Sequence, residues 1–218
     1  MTKPITAVLF DLDGTLIDTH DLILTSMRYT MRTILNKEFP DKQLMQKVGQ
    51  PLAVQMRDFC DGDEAVYEAL LETYREYNDV IHDEKAKPFD GTHEMLTSLR
   101  DAGYALGVVT SKRHEPAMRG LTLFGLDTFM QCVIGNDDYP LHKPDPGPIL
   151  FAAETLQVDP RACLYVGDSP YDIQAGNAAE VTTVAALWGM FAKKILLAQK
   201  PAYVCAHISE LTKVLAKL

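Results

Sequence analysis

Two carboxylates two positions apart, Asp11 and Asp13, follow directly on the apolar run Ala7-Val8-Leu9-Phe10. In open α/β sheets the loops at the carboxyl ends of strands hold ligands. Two carboxylates crowded there are unfavourable unless a cation neutralises them, and magnesium, a hard cation that takes oxygen ligands, suits the task. Gly14 lets the backbone turn sharply and approach a bound anion, with Thr15 beside it. An acidic pair alone also fits an ordinary polar loop. Three further segments weigh against that reading, because each lies past another apolar run. Thr110 and Ser111 follow Val108-Val109. His142-Lys143-Pro144-Asp145-Pro146 follows the run at 131–134 and an acidic loop. Gly167-Asp168-Ser169-Pro170-Tyr171-Asp172 follows the run at 163–166. A hydroxyl can donate to a phosphoryl oxygen, a lysine can neutralise a phosphoryl group and a nucleophilic carboxylate, and a second acidic cluster can complete a metal site. Phosphoryl transfer needs mainly such positioning and charge compensation.

The elements that must position these residues alternate along the chain. Continuous apolar runs at 7–10, 104–109, 131–134, 163–166, 181–186 and 203–205 read as strands covered on both faces. Between them lie helical patterns. Thr92 is expected to cap one carrying Met95, Leu96 and Leu99; Pro116, the pair Pro146 and Pro148, and Pro170 open others. Strands alternating with helices give an α/β fold with a parallel sheet and right-handed crossovers. Residues 16–85 break the rhythm and contain no convincing strand. Leu22, Ile23, Met27, Met31 and Ile34 share one helical face, and Val66, Leu70, Tyr74 and Tyr77 another behind an Asp63 cap; Asp41 is read as the cap of a short helix. The division expected is a Rossmann-like α/β core of residues 1–16 and 87–218, with a helical cap of residues 17–86 inserted after the first strand.

The formal net charge of −9 argues against non-specific nucleic-acid binding, which needs a basic face. It does not exclude an anionic substrate, since a metal and a few cations reverse the sign locally. The first apolar run is far too short to span or target a membrane. Cys60, Cys132, Cys163 and Cys205 form no C-x-x-C pair and read as buried thiols of a cytoplasmic protein.

The four chemical segments resemble, in order and spacing, the four signature motifs of the haloacid dehalogenase superfamily. The inserted helices resemble the cap of its phosphoglycolate phosphatase-like and β-phosphoglucomutase-like branch. The resemblance implies a magnesium-dependent phosphatase. Asp11 would be the nucleophile. Asp13 would protonate the leaving oxygen and then take a proton from water. Thr110 would hold the transferring phosphoryl group with the backbone N–H groups of Leu12 and Ser111, and Lys143 would stabilise charge on Asp11 and the phosphoryl oxygens. The metal would lie on Asp11, the Asp13 main-chain carbonyl and Asp168, with Asp172 orienting Lys143 or metal-bound water. An aspartate at 13 favours phosphatases and phosphomutases over the dehalogenases, which lack it, and the transport ATPases, which carry threonine there. Ser111 stands where many phosphatases of the branch have asparagine.

The resemblance leaves the substrate open. Hydrolysis of a small phosphomonoester such as phosphoglycolate stands first. Inorganic pyrophosphate stands second, because Tyr74-Arg75-Glu76-Tyr77-Asn78 and His82-Asp83-Glu84 are similar to cap sequence in bacterial pyrophosphatases of this branch. A β-phosphoglucomutase-like phosphomutase and a non-catalytic module phosphorylated on Asp11 complete the set. The Gly49-Gln50-Pro51 turn and His20 are candidate substrate contacts, His82 is a weaker one, and Arg57 and Arg113 are candidate partners for a second anionic group. The remaining histidines, Trp188 and the tyrosines at 67, 74 and 77 read as structural. The chain is expected to act as a monomer or small homo-oligomer without nucleic-acid or membrane partners.

Overall fold

The computed structural model describes residues 4–218; the first three residues of the expected core segment lie outside them. In chain order the elements are β1 (Ala7–Phe10), β2 (Ile17–Asp18), α1 (His20–Leu35), α2 (Asp41–Leu44), α3 (Leu52–Met56), α4 (Glu64–Lys85), β3 (Lys87–Pro88), α5 (Thr92–Asp101) and β4 (Ala105–Val109). They continue as α6 (His114–Leu123), β5 (Cys132–Ile134), α7 (Gly147–Thr155), β6 (Cys163–Gly167), α8 (Pro170–Ala178), β7 (Thr182–Ala186), α9 (Lys193–Leu197), β8 (Tyr203–Cys205) and α10 (Leu211–Leu215). The main sheet is parallel in the order β5-β4-β1-β6-β7-β8. β1 therefore sits at its centre, and the order reverses there, which is where an open α/β sheet leaves a crevice beyond the strand ends. All four β1 residues are buried, as a strand covered on both faces requires. Val8 and Phe10 pack into the core on one face with Leu96, Leu99 and Leu121; Ala7 and Leu9 pack on the other with Ile149, Ala153 and Tyr165.

The helical insert has its own apolar cluster. Ile23, Met27 and Met31 of α1 meet Leu70 and Leu71 of α4, and Leu44, Val48 and Met56 fill the end. Asp63 accepts hydrogen bonds from the N–H groups of Ala65 and Val66, as expected of a helix cap. Met190 and Phe191, which follow β7, pack against this cluster, so the sheet unit reaches into the insert.

Three local expectations change. The segment read as strand-free contains β2, which pairs antiparallel with β3 through Ile17↔Pro88 and Asp18↔Lys87. The pair joins the outgoing and returning chains at the base of the insert; two-residue strands carry no periodicity to read. Thr92 does not cap α5: Gly91 takes the cap position at φ 88°, and the buried Thr92 hydroxyl donates to the Leu16 carbonyl. Asp41 is the first residue of α2 rather than its cap, and Arg28 holds its carboxylate through contacts of 2.7 Å.

Candidate active site

The carboxyl ends of β1, β4 and β6 bring the four sequence segments together. Asp11 leaves β1 with its N–H still bonded to the Val166 carbonyl of β6 (2.9 Å), so the sheet itself aims this residue. Its carboxylate is buried, and Oδ1 accepts a hydrogen bond from Lys143 Nζ at 2.9 Å. Lys143 reaches in from the loop before α7. Its ammonium also donates to Asp172 Oδ1 (2.6 Å), Tyr165 Oη (3.0 Å) and the Val109 carbonyl (3.2 Å). Burial disfavours its charge, but Asp11 and Asp172 outweigh that and keep it protonated.

Asp172 has no oxygen to spare. Oδ1 faces Lys143, and Oδ2 accepts from the N–H and hydroxyl of Ser169 at 2.9 and 2.6 Å, in a reciprocal capping box at the start of α8. Asp168 is held by Thr15 Oγ1 on one oxygen and by the Met190 N–H on the other. Gly14, at φ 83°, passes so close to Asp168 that a Cβ would collide with the carboxylate. Gly14 and Thr15 therefore shape the Asp168 pocket and do not line the open cleft; Leu12 is buried beneath it.

Asp11, Asp168 and Asp172 each place a carboxylate oxygen within 4.8 Å of the others, and all three are buried. One lysine faces two of these three carboxylates. Burial, reinforced by Asp172 and Asp13 and opposed by Lys143, pushes the Asp11 carboxyl up to about 7. Burial, then Asp11 and Asp172, drives Asp168 up as well. The cluster is short of positive charge, and its oxygen-only donors fit a hard divalent cation. Asp172 carries more donors than Asp168, which has one on each oxygen, so Asp11 and Asp168 are the groups better placed to take a cation.

Thr110 directly follows β4 and is buried, with its hydroxyl oxygen accepting from the Lys112 N–H. Ser111 donates through Oγ to the Gly49 carbonyl at 2.6 Å, pinning the helical insert to the core. Gly49 (φ 94°) docks so tightly that a Cβ would stand 2.8 Å from Ser169. Gly49→Ala is accordingly expected to lower kcat/KM by roughly 10- to 100-fold through misplacement of this turn, with the circular dichroism spectrum preserved. Wild-type kinetics in that variant would remove the turn from the site.

Between core and insert lies a cleft of about 650 Å³, lined among others by Asp11, Asp13, Gly49, Gln50, Thr110 and Ser111. His82 and Arg113 also line it, as does Tyr74, which was expected only to fill the insert's interior. Burial, then the charge of Asp13, holds the Tyr74 phenol protonated. Tyr77 stacks on Tyr29 outside the cleft. Two candidate residues lie outside the cleft. His20 is exposed at the start of α1 and does not line the cleft, because the helix carries it outward. Arg57 pairs with Glu64 and lies over the Tyr67 ring, away from the cleft.

Two participants escaped the sequence reading. Lys112 donates to Asp13 Oδ1 at 2.8 Å, and both side chains are largely buried. Tyr165, in the middle of β6, donates to the Val109 carbonyl and accepts from Lys143. The readable signal for Lys112 was a cation two residues past Thr110; for Tyr165 it was a lone hydroxyl in an otherwise apolar strand.

The chain is similar to known proteins in sequence and in fold. A family model described as haloacid dehalogenase-like hydrolase matches residues 8–186. The chain is 40% identical, over 97% of its length and 94% of the relative's, to a Caldanaerobacter subterraneus protein provisionally called pyrophosphatase PpaX. It is 34% identical to pyrophosphatase PpaX of Bacillus velezensis, covering 96% of this chain and 95% of that one. Among solved structures, a predicted phosphatase from Clostridium acetobutylicum superposes with a TM-score of 0.88 at 26% identity, covering 99% and 100% of the two chains. A predicted phosphoglycolate phosphatase from Haemophilus somnus superposes at 0.90 with 23% identity over 98% and 99%, a likeness of fold. The matched span carries the loop at residues 11–13, the helical insert and both later acidic segments, and the chain belongs to the haloacid dehalogenase-like hydrolase family.

Proposed function

We propose that the chain hydrolyses inorganic pyrophosphate to two phosphates through an aspartyl-phosphate on Asp11, with magnesium. The observation that carries the choice of substrate is the near full-length similarity to PpaX pyrophosphatases, at 40% and 34% identity. The cleft is compatible with it: Lys112, Arg75 and Arg113 stand on its walls beyond Lys143, beside the carboxylates of Asp11, Asp13, Glu76, Asp79 and Glu115, and can meet a second phosphoryl group. The bond broken is then an anhydride, where the motifs alone placed a monoester such as phosphoglycolate first.

Lys143 holds one oxygen of Asp11, which leaves Oδ2 to attack phosphorus. The bond from phosphorus to the bridging oxygen breaks, and the Asp13 carboxyl gives its proton to that oxygen as phosphate leaves. Asp13, now a carboxylate, takes a proton from water; the water oxygen attacks phosphorus, the bond to Asp11 breaks and the carboxylate returns. Thr110 and the N–H groups of Leu12 and Ser111 orient the transferring group, and Lys143 compensates its charge. Asp11, Asp168 and the Asp13 carbonyl would hold magnesium, which would supply further charge neutralisation. The insert, pinned at Gly49, serves as a cap that excludes bulk water.

The test is a magnesium-supported comparison of pyrophosphate, phosphoglycolate, glucose 1-phosphate and p-nitrophenyl phosphate by kcat/KM. Pyrophosphate is expected to lead. A lead for phosphoglycolate overturns the substrate, isomerisation of glucose 1-phosphate indicates a mutase, and stable phospho-Asp11 without turnover indicates a regulatory module.

A further inference from the structure

The cations around the cleft are not equivalent. Lys143 sits behind Asp11 with its ammonium shared among four protein oxygens. Arg119 is engaged by Asp79 and by Asp83, the latter at 3.0 Å. Lys112 differs in place and in partner. It follows Thr110 and Ser111 on the same loop, lines the cleft, and touches one carboxylate, Asp13, through Oδ1 at 2.8 Å. Its loop is braced: the Lys112 N–H donates to Thr110 Oγ1 and its carbonyl accepts from the Asn136 N–H at 2.9 Å. Both the Lys112 and Asp13 side chains retain about one sixth of their exposure, 16% and 17%, on the cleft side. An ammonium has three donors, and Asp13 takes one.

In the mechanism above Asp13 delivers its proton to the leaving oxygen. Whatever that oxygen is attached to must therefore lie beside Asp13, and hence beside Lys112. We propose that Lys112 is the specificity-determining residue that selects a leaving group carrying its own negative charge: its ammonium bridges Asp13 and the anionic part of the departing group, the distal phosphoryl group in the case of pyrophosphate. The proposal rests on the hydrolytic reading of the site and deepens its substrate assignment. A charge-assisted contact formed with the leaving group strengthens as that group gains charge, so it acts on kcat as well as on KM.

The experiment compares wild type, Lys112→Met and Lys112→Arg on three substrates with magnesium. Pyrophosphate and phosphoglycolate have anionic leaving groups. 2-Hydroxyethyl phosphate has a neutral alkanol leaving group that needs protonation as much as glycolate does, so a mere disturbance of Asp13 lowers phosphoglycolate and hydroxyethyl phosphate alike. Lys112→Met is expected to lower kcat/KM for the anionic substrates by roughly 10- to 100-fold more than for hydroxyethyl phosphate, and Lys112→Arg to restore most of that selectivity. An equal loss on all three would reduce Lys112 to a positioning residue for Asp13 and overturn the proposal, as would no loss at all. If wild type ignores pyrophosphate, the substrate assignment fails by itself, and the pair phosphoglycolate and hydroxyethyl phosphate still decides the role of Lys112.

Discussion

Asp11→Asn is expected to abolish turnover, with kcat lowered roughly 10⁴-fold or more, because the attacking carboxylate at the end of the central strand is lost. The fold should survive. Asparagine keeps the size of the side chain, and the Asp11 N–H bond to Val166 is a backbone contact. Stability supplies a second readout. The Asp11 carboxyl lies at about 7 in the folded, metal-free protein, above the 3.8 of an unperturbed aspartate. A group whose folded value is raised stabilises fully below its unfolded value, and that contribution is lost as pH rises through the folded value. Metal-free wild type should therefore lose Tm between pH 5 and pH 8. Asp11→Asn, which cannot ionise, should lose less over the same range. Added magnesium should raise the wild-type Tm at pH 8 more than that of the variant. Thermal melts with and without chelator check all three. Retained activity would end the nucleophile assignment; identical pH slopes would show that Asp11 does not carry the charge strain of the cluster.

The parts of this site that were legible in the sequence are those fixed by chain position. Asp11, Thr110 and Asp168 each follow an apolar run, and a parallel sheet delivers the ends of its strands to one edge. Lys143 was legible as the cation of the third segment. The capping box of Ser169 and Asp172 follows from the Ser-x-x-Asp spacing at the start of α8. What stayed hidden depends on side chains meeting across the fold. Lys112 and Asp13 are 99 positions apart. Tyr165 points toward Lys143 only because β6 neighbours β1 in register. Tyr74 occupies a regular helical position, so periodicity assigned it to the interior of the insert, whereas α4 presents it at the cleft. His20 misleads for the opposite reason: closeness in sequence to the loop at residues 11–13 says nothing about which way a helix turns its side chains. β2 and β3 are too short to leave a pattern, yet they join the two ends of the insert.

Lys143→Met is expected to produce the largest loss of stability, and the reason lies in the charge count of the cluster. The Lys143 side chain is 1% exposed and pairs with Asp11 and Asp172, which are 4% and 0% exposed. Removing one partner of a buried ion pair leaves the other charge without compensation, at about 3–5 kcal/mol. Here two carboxylates lose their cation together, and the Tyr165 hydroxyl loses its donor. Methionine fills the volume, so the loss is electrostatic rather than a cavity. Its pH dependence follows. Without the ammonium, the folded-state value of Asp11 rises further above that of the unfolded chain. The variant then keeps its stability in acid, where the Asp11 carboxyl is protonated, and loses it as pH climbs through the raised value. Urea denaturation of the metal-free proteins should show a deficit against wild type that is small near pH 5 and widest near pH 8, and adding Asp172→Asn should recover part of it. Activity should fall roughly 10²- to 10³-fold even where the variant is folded, since the charge that balances the attacked phosphoryl group is gone. A Lys143→Met protein as stable as wild type at pH 8 would mean that the carboxylates are neutralised by something other than this lysine, and the charge argument for a metal at Asp11 and Asp168 would fall with it.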